Sequence, residues 1–598
     1  MKKKLLSIVL AISMICAFVP LVVSAETTAT SGTCGDNVTW TLDDDGTLTI
    51  SGTGNMENYN YMEDYVKSPF YNNENIKSAI IENGVTGIGS CIFYGCSNLT
   101  SVNIPNGVTN IGWSAFEGCS RITSVNIPNG VTRIEGNTFK DCISMTSINI
   151  PDSITSIGLG AFEGCISITN VNIPNSITII RWEAFEGCSG LKSINIPNGI
   201  KYIADSTFEG CSSLTEITIP DSVISVGPAA FKGCRSITSI NIPNGATSIG
   251  DSAFAECSSL TEITIPDSIE NIGSYVIDET PYYLNENNWE NEVLYIGKHL
   301  IEAKQQKIKG EYNIKDGTKT IAGAAFSFCD NLTSVIIPNS VMSIGHNAFY
   351  HSSNLISIII PDSVVSIGEE LLDGSAYYLD ENNWENGVLY LGNHLIKADD
   401  SKLNEEYKIK DGTKTIANQA FYQCDNIKNI IISNGVTRIN EGAFLECTNL
   451  NSITIPISIS TIGNGAFAGC ESLSNIYYEG TIEQWNKINK EDDDMWFKNA
   501  TIHYKRDIPL TTATIKTEKV GEAYTFNVEP EQKYEDCYVY AAMYDENGLL
   551  TGFNRVPLET SGSTNISVGK TDNAESAKVF ILSDMLQPVI ATQEFTLE

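Results

Sequence analysis

The sequence has few basic residues for its length. It contains 37 lysine and arginine residues against 72 aspartate and glutamate residues, so its formal net charge is 37 − 72 = −35. Nucleic-acid binding requires clustered basic side chains that neutralise phosphates, and no such cluster is present. We therefore expect no nucleic-acid partner. Strong acidity of this kind keeps a long repetitive surface soluble, and we expect a monomer.

The usual catalytic and metal-binding motifs are also missing. Neither an H-E-x-x-H pair, a G-x-S-x-G turn, a Walker loop nor a G-x-G-x-x-G stretch after a strand occurs. The five histidines are scattered through the chain: His299, His346, His351, His394 and His503. We expect no enzymatic activity, no cofactor and no metal site.

No apolar run after the N-terminus reaches the roughly eighteen residues that a transmembrane helix needs. The N-terminus itself has the features of a signal peptide, since Lys2 to Lys4 are basic and Leu5 to Val23 are largely apolar. Val23-Ser24-Ala25 is a small-residue cleavage site. We predict a secreted protein without a transmembrane segment, either released or loosely associated with the cell surface.

The most informative feature that the sequence does contain is a stretch of 23 residues that is repeated along the chain. Residues 99–121 read LTSVNIPNGVTNIGWSAFEGCSR, and the proline of this stretch recurs at a constant interval. The series is Pro105, Pro128, Pro151, Pro174, Pro197, Pro220, Pro243 and Pro266. A fixed period of about 20 to 30 residues is typical of a solenoid, in which each copy packs only against its neighbours.

Each copy of the repeat predicts one strand, after which the chain turns and places further apolar side chains in the core. Leu99, Val102 and Ile104 fit the pattern L-x-x-V-x-I, a leucine-rich-repeat strand with three inward side chains. Pro105 ends this strand because it has no N–H to donate to a ladder, and Phe116 closes the far side. We predict a mainly β fold, a curved leucine-rich-repeat solenoid of 23-residue rungs.

One position of the repeat is a column of cysteines, in which Ser352 stands in one rung. The twelve cysteines are Cys96, Cys119, Cys142, Cys165, Cys188, Cys211, Cys234, Cys257, Cys329, Cys424, Cys447 and Cys470. We interpret them as small buried core residues. The alternatives are a metal column or a redox array, but the C-x2-4-C spacing of metal sites is absent. We expect Cys165→Ser to bury a hydroxyl without a hydrogen-bond partner and to destabilise the fold.

Two intervals break the period in the same way. YYLNENNWEN at 282–291 and YYLDENNWEN at 377–386 are near-copies, and an apolar hairpin sequence follows each of them, from Val293 and from Val388. We predict two inserted hairpin islands that arose by duplication of a larger block. The tyrosines and tryptophans of these islands either cover the island's own packing or stack on a sugar ring.

The two ends of the array predict caps. Residues 38–50 alternate around an Asp-Gly turn and predict a hairpin that protects the edge of the first rung. Residues 476–504 predict a C-terminal cap in which Trp485 and Trp496 cover the final rung. Beyond Ile508, short alternating strands predict an immunoglobulin-like β-sandwich. The predicted domains are a signal peptide 1–25, an N-terminal capping hairpin region 26–75, a repeat solenoid 76–475, a C-terminal cap and linker 476–507, and a sandwich 508–598.

These features together resemble the BspA-like leucine-rich repeat family. The matching residues are the IPNGVTNIGWSAFEGC rungs, the opening SGTCGDNVTWTLDDDGTLTISGTG from Ser31, and YYEGTIEQW from Tyr477. The resemblance covers about residues 26–505, and the final domain resembles an accessory module found beside such arrays. It implies a curved solenoid in a secreted or surface protein, with adhesion to host or matrix proteins in some members. The family has no agreed binding motif whose residues could be carried over to this chain.

The candidate binding residues occupy the two intervening positions of the L-x-x-V-x-I strand, which face the predicted concave surface. In the first half they are Ser101, Asn103, Ser124, Asn126, Ser147, Asn149, Asn170, Asn172, Ser193, Asn195, Ser239 and Asn241, with Glu216, Thr218, Glu262 and Thr264 interposed. Later the inner position becomes Ile336, Ile359 and Ile431. In one interpretation the polar residues only solvate the sheet and the isoleucines pack beneath the islands. In the other, a polar strip passes into an apolar patch where a partner docks.

We therefore predict a non-enzymatic secreted or cell-surface protein-binding scaffold, with adhesion or host and matrix interaction through the concave repeat surface. The alternative is a carbohydrate- or cell-wall-associated binding module. The expected partner is accordingly an extracellular protein or a glycan.

Overall fold

The computed structural model describes residues 30–62, 66–491, 500–504, 513–520, 523–530, 537–547, 549–558, 563–569, 574–583 and 588–596. The predicted signal peptide and Trp496 lie outside these residues. The chain divides into two compact units. The first unit comprises the chain up to residue 266 together with 277–284, and the second comprises 267–276 together with 285 onwards.

The first unit opens with the predicted hairpin. Its strands are β1 (Ser31–Gly35), β2 (Val38–Leu42), β3 (Thr47–Gly52) and β4 (Gly54–Asn55). The strands β1, β2 and β3 are antiparallel neighbours. The Asp43 carboxylate closes the turn between β2 and β3 by accepting the Thr47 N–H at 2.7 Å. Because β3 then pairs in parallel with the first rung, from Thr47↔Ser78 to Ile50↔Ile81, the hairpin covers that rung's edge.

The rungs of the first unit are built from very short strands. They are β5 (Ser78–Ile81), β6 (Val85–Ile88), β7 (Ser101–Asn103), β8 (Asn110–Ile111), β9 (Arg133–Ile134), β10 (Ser156–Ile157), β11 (Asn170–Val171), β12 (Ile179–Ile180), β13 (Ser193–Ile194), β14 (Tyr202–Ile203), β15 (Ser225–Val226), β16 (Ser239–Asn241), β17 (Ser248–Ile249) and β18 (Glu262–Thr264). Equivalent residues 23 apart pair in parallel, as in Ser156↔Ile179 and Ser239↔Glu262. The predicted fold class is confirmed, with about 18 turns of the solenoid along the chain.

A column of stacked phenylalanines fills the core of the first unit. Neighbouring rings lie 5.2–5.8 Å apart between centroids and within 18° of parallel. The members are Phe70, Phe93, Phe116, Phe139, Phe162, Phe185, Phe208, Phe231 and Phe254. Each stacked pair adds about 0.5–1.5 kcal/mol beyond the burial of its apolar area, so the column ties every rung to the next.

The cysteine column lies beside these rings, and its interpretation as buried core is confirmed. All the cysteines from Cys34 to Cys470 are buried free thiols, including Cys34 and Cys91. Each Sγ in the first unit's column donates to the carbonyl of the phenylalanine 26 residues earlier, as Cys165 does to Phe139 at 3.2 Å. Ser352 makes the same bond to Phe326 at 2.6 Å. The expectation that a hydroxyl here would lack a partner is therefore wrong, because the carbonyl is already in place to accept it.

The two islands have the predicted hairpins. The first contains α1 (Pro281–Leu284), a 3-10 helix at Glu286–Asn288, β20 (Trp289–Glu290), β21 (Val293–Ile296) and β22 (His299–Ala303), and β19 (Asn271–Ile272) precedes it. The second contains α2 (Ala376–Leu379), a 3-10 helix at Glu381–Asn383, β29 (Trp384–Glu385), β30 (Val388–Leu391), β31 (His394–Ala398) and a 3-10 turn at Asp400–Lys402. In the second island β30 and β31 are antiparallel, and β31 then pairs in parallel with β33 (Thr415–Ile416), which restores the rung register.

The remaining rungs of the second unit form longer sheets. Their strands are β23 (Gly310–Asn313), β24 (Thr320–Ile321), β25 (Leu332–Ile336), β26 (Ser343–Ile344), β27 (Ser357–Ile359), β28 (Ser366–Ile367), β32 (Glu406–Lys408), β34 (Asn429–Ile431), β35 (Arg438–Ile439), β36 (Ser452–Ile455) and β37 (Thr461–Ile462). One sheet has the order β23-β25-β27. A second has the order β32-β34-β36 and continues into the strands of the C-terminal cap.

The C-terminal cap consists of β38 (Asn475–Tyr478), α3 (Ile482–Trp485), β39 (Asn489–Lys490) and β40 (Thr501–Tyr504). Thr481 and Gln484 form a capping box that starts α3. Trp485 is buried and meets Tyr478 edge to face at 5.2 Å. Trp485 therefore packs against β38.

The final region forms two antiparallel sheets. Its strands are β41 (Ala513–Val520), β42 (Ala523–Pro530), β43 (Cys537–Tyr544), β44 (Leu550–Pro557), β45 (Thr564–Gly569), β46 (Ser576–Ser583) and β47 (Pro588–Thr596). The sheet orders are β41-β42-β45 and β44-β43-β46-β47. Phe526 and Ile566 of one sheet share an apolar cluster with Val539 and Val579 of the other. The immunoglobulin-like assignment stays a prediction.

Candidate functional site

The predicted binding positions lie on one surface of each unit, which we call the strand face. It consists of the two intervening side chains of each L-x-x-V-x-I strand. On β16, Ser239 and Asn241 are exposed on either side of the buried Ile240, because successive side chains of a strand point to opposite sides. All the polar residues predicted for this site are exposed: Ser101, Asn103, Ser124, Asn126, Ser147, Asn149, Asn170, Asn172, Ser193, Asn195, Ser239 and Asn241.

Hydrogen bonds between rungs connect several of these polar side chains. The Ser193 hydroxyl donates to the Asn170 side-chain oxygen at 2.6 Å. The Asn195 amide donates to the Ile173 carbonyl at 2.7 Å and accepts the Ile173 N–H at 2.8 Å. Part of the hydrogen-bonding capacity of the strand face is thus used within the face itself, which holds these side chains in fixed positions.

In the second unit the strand face carries the three predicted isoleucines. Ile336, Ile359 and Ile431 are 39%, 57% and 43% exposed. The interpretation that they pack beneath the islands is therefore wrong. Ile336 and Ile359 are direct register partners on β25 and β27, so the structure brings these two together. Ile431 belongs to another sheet, between Lys408 and Thr454, and is not part of the pair.

Other exposed apolar residues were not predicted. Ile80 occupies the inner strand-face position of the first rung, in register with Asn103, and reading the column one rung earlier would have found it. Ile356 is exposed at the start of the rung that contains Ile359. Trp182 and Tyr202 are exposed outside the L-x-x-V-x-I strands, so the pattern that predicted the site does not include them.

The titratable core groups are held in unreactive forms. Burial raises the pKa of the Cys34 and Cys188 thiols to about 12, so their thiolates are scarce at neutral pH. His394 is buried with Nε2 3.1 Å from the Pro361 carbonyl oxygen, and burial lowers the pKa of its imidazole. Within the described residues, no group of three or more histidine, cysteine, aspartate or glutamate side chains is arranged to hold a metal ion.

The second island contains a cavity of about 330 Å³. Its lining includes Leu379, Glu381, Trp384, Asp399 and Lys402. The remaining lining residues are Tyr378, Ala398 and Asp400, so two aromatic, three acidic and one basic residue surround one space that can hold a small polar molecule.

Repeated parallel strands, an inward phenylalanine column and capped ends define a leucine-rich-repeat β-solenoid. The family model described as "BspA type Leucine rich repeat region (6 copies)" matches residues 66–192, 178–309, 305–404 and 398–491. The chain belongs to the BspA-type leucine-rich repeat family. Proteins of this family are binding scaffolds at the cell surface or in secreted form. Among the described residues, none of the helices has both the length and the apolar character needed to cross a membrane.

Three solved structures illustrate the similarity. A leucine-rich repeat protein from Bacteroides ovatus ATCC 8483 is 24% identical, with 79% of this chain and 99% of that chain covered and a TM-score of 0.31. A leucine rich cell surface protein from Faecalibacterium prausnitzii A2-165 is 25% identical, with 78% and 99% covered and a TM-score of 0.23. A leucine-rich repeat protein from Eubacterium ventriosum ATCC 27560 is 21% identical, with 60% and 98% covered and a TM-score of 0.38. The comparison with curated proteins gave no match.

Proposed function

We propose that this chain is a secreted or cell-surface scaffold that binds an extracellular protein through its strand face and catalyses no reaction. The observation that carries the proposal is the Ile336–Ile359 pair, two exposed β-branched side chains in direct register on a surface where most rungs of the first unit carry serine and asparagine. Exposed apolar area of this kind is where protein partners dock. Adhesion to a host or matrix protein is the form of binding that we propose.

The fold itself does not require isoleucine at these positions. Asn103 and Asn241 occupy the equivalent place in first-unit rungs of the same length and stay exposed there. An apolar residue at an exposed place gains free energy only when a partner covers it, at about 25 cal/mol per Å² of apolar area removed from water. The serines and asparagines of the strand face supply hydrogen bonds beside such a contact.

The test uses the chain from residue 26 onwards against immobilised extracellular matrix proteins and a glycan array. The double variant Ile336→Asp/Ile359→Asp should weaken binding to the matching matrix protein by at least about tenfold, because two buried charges would oppose the contact. Its melting temperature should stay within about 2 °C of the unmodified chain, since surface substitutions change stability little.

The control is Met342→Asp, which places a single carboxylate on a residue that is 53% exposed and precedes β26, outside the strand face. This control should leave binding unchanged. Equal losses in both variants, or a large fall in melting temperature for the double variant alone, would contradict the proposal. In the second case the isoleucines would be part of the stable core.

A carbohydrate- or cell-wall-associated module is the second candidate function. The observation that favours it is the cavity of the second island, where Trp384 lies beside carboxylate and ammonium groups. In the glycan array, binding that persists in the Ile336→Asp/Ile359→Asp variant would support this candidate, because the cavity and the strand face have no residues in common.

A further inference from the structure

The indole of Trp384 is held in place from within the second island. Its Nε1–H donates to the Tyr378 carbonyl at 2.8 Å, and its ring meets Tyr378 edge to face at 5.2 Å. The polar atom of the indole is therefore already satisfied. What the side chain offers to the cavity is a fixed aromatic surface, which packs against C–H groups or attracts positive charge.

Ion pairs and a hydrogen bond connect the charged groups of the cavity. Lys402 Nζ lies 2.7 Å from Glu381 and 3.3 Å from Asp399. The Ser401 hydroxyl donates to Asp399 at 2.6 Å, and this hydrogen bond together with Lys402 lowers the pKa of that carboxyl, so Asp399 is ionised at neutral pH. Together with Asp400, which also lines the cavity, these groups provide acceptors and a donor beside the same aromatic surface.

The position of Lys402 decides which ligands suit this space. Its ammonium lies 5.7 Å from the centroid of the Trp384 ring, so it already occupies a cation–π position there. The ammonium group of Lys402 would therefore repel a cationic ligand at the ring. A neutral polyol has no such conflict, because each hydroxyl can donate to a carboxylate or accept from the ammonium.

The first island has the same frame, but its charged residues differ at several positions, among them Gln305 where the second island has the cavity-lining Asp400. Trp289 and Glu286 correspond to Trp384 and Glu381, displaced by 95 residues, but Lys304 stands where the second island has Asp399. Lys304 Nζ lies only 4.6 Å from the centroid of the Trp289 ring and pairs with Glu286. In the first island the chain's own lysine therefore covers the aromatic ring.

We propose that the cavity of the second island binds a neutral sugar residue, which packs its C–H surface against Trp384 and directs its hydroxyls to Asp399, Glu381 and Lys402. The first island does not bind it, because Lys304 covers the Trp289 ring. A cavity of about 330 Å³ accommodates one or two pyranose rings. This inference rests on the second candidate function and is independent of the strand face.

The experiment titrates the full chain with methyl β-D-glucopyranoside, methyl β-D-galactopyranoside and N-acetylglucosamine, followed by ligand-observed NMR and calorimetry. Choline serves as the cationic probe. We expect saturable binding of at least one sugar with a Kd on the order of 1 mM, since small ligands gain little free energy per atom in open cavities. Choline should not bind.

Three substitutions locate the site. Trp384→Ala should weaken sugar binding by at least about tenfold, and Trp289→Ala, the matched control in the first island, should leave it unchanged. Asp399→Lys places an ammonium group where the first island has Lys304 and should abolish binding without removing any aromatic ring. Trp384→Phe keeps an aromatic surface and should retain binding within about threefold, which separates loss of the ring from loss of folding.

Several results would overturn the inference. These are no saturable sugar binding by the unmodified chain, binding of choline instead of sugars, or equal losses in Trp289→Ala and Trp384→Ala. Retention of sugar binding in the Ile336→Asp/Ile359→Asp variant is expected. If the sugars do not bind in the cavity but the chain still binds glycans on an array, the proposed site would be wrong. The second candidate function would then still stand.

Discussion

The two units share their buried side chains and differ in their exposed ones. Phe116 in the first unit and Phe349 in the second are both fully buried in phenylalanine stacks. At the inner strand-face position, in contrast, the first unit has polar residues such as Asn103 and Asn241 in every rung after Ile80, whereas the second has Ile336 and Ile359 in adjacent rungs. The buried positions are restricted because each ring must stack on its neighbours, and the exposed positions face only water or a partner.

The buried positions also accept a different side chain where the new residue keeps the same hydrogen bond. Ser352 replaces a cysteine in the second unit and still donates to a phenylalanine carbonyl. Shape and hydrogen bonding are what the core requires at this position. Candidate binding residues are therefore the exposed positions at which equivalent segments carry different side chains. Ile336 is one such position, and the position of Asp399 in the second island and Lys304 in the first is another.

The largest expected effect concerns the phenylalanine columns. Phe162 stacks between Phe139 and Phe185 at 5.6 and 5.2 Å, whereas Phe349 stacks on Phe326 and its next rung carries Leu372. Phe162→Ala should cost about 3–5 kcal/mol of unfolding free energy. Phe349→Ala should cost about 1 kcal/mol less, because one fewer aromatic pair is lost.

The unfolding free energy of both variants is measured by urea unfolding monitored by circular dichroism, and calorimetry measures their thermal unfolding. Repeat arrays unfold in local steps, so the first transition of each variant is the quantity to compare. An equal cost for both substitutions would show that stacking adds nothing to simple burial. The two units would then differ less in their cores than the ring geometry indicates.

The general architecture was predictable because the period and the turn residues repeat many times. The spacing from Pro105 to Pro266 predicts the solenoid, and the Asp-Gly turn after Asp44 predicts the hairpin. The short strands were not predictable, since the pattern gives the inward side chains but not how many ladder hydrogen bonds form. The exposure of Ile336 depends on what packs above the sheet, which no local pattern contains.

The cavity was only partly predictable. From the sequence, Trp384 is an aromatic residue that either covers the island or contacts a sugar. The sequence pattern does not identify its partners Asp399 and Lys402, because they come from a turn after the hairpin and approach the tryptophan only in the folded island. A signal for these partners is present in the sequence. When the two islands are aligned at a displacement of 95 residues, Asp399 of the second island lies where the first island has Lys304.

An intermediate effect is expected for the buried histidine of the second island. Burial lowers the pKa of His394, so the unfolded chain binds the proton more readily than the folded chain. Unfolding free energy should therefore fall as the pH drops below the ordinary histidine value of about 6.5, with a slope of at most about 1.4 kcal/mol per pH unit from this one group.

His394→Gln keeps a donor toward the Pro361 carbonyl and removes the titration. Urea unfolding at pH 7.5, 6.0 and 5.0 should show a smaller loss of stability at low pH in this variant than in the unmodified chain. The difference between the two profiles isolates the histidine from the many carboxyl groups. Identical profiles would mean that His394 titrates equally in the folded and unfolded chain.

The smallest expected effect is the exchange of the two residue types in the cysteine column. Cys165→Ser should cost no more than about 1 kcal/mol, because the hydroxyl can donate to the Phe139 carbonyl as Ser352 does to Phe326. Cys165→Ala removes this donor and leaves a small gap, so it should cost at least as much as the serine variant. Ser352→Cys is the reciprocal control and should be nearly neutral. Urea unfolding under reducing conditions measures all three. A loss above about 3 kcal/mol in Cys165→Ser alone would show that the first unit, unlike the second, holds its rungs too tightly for a hydroxyl to reach the carbonyl.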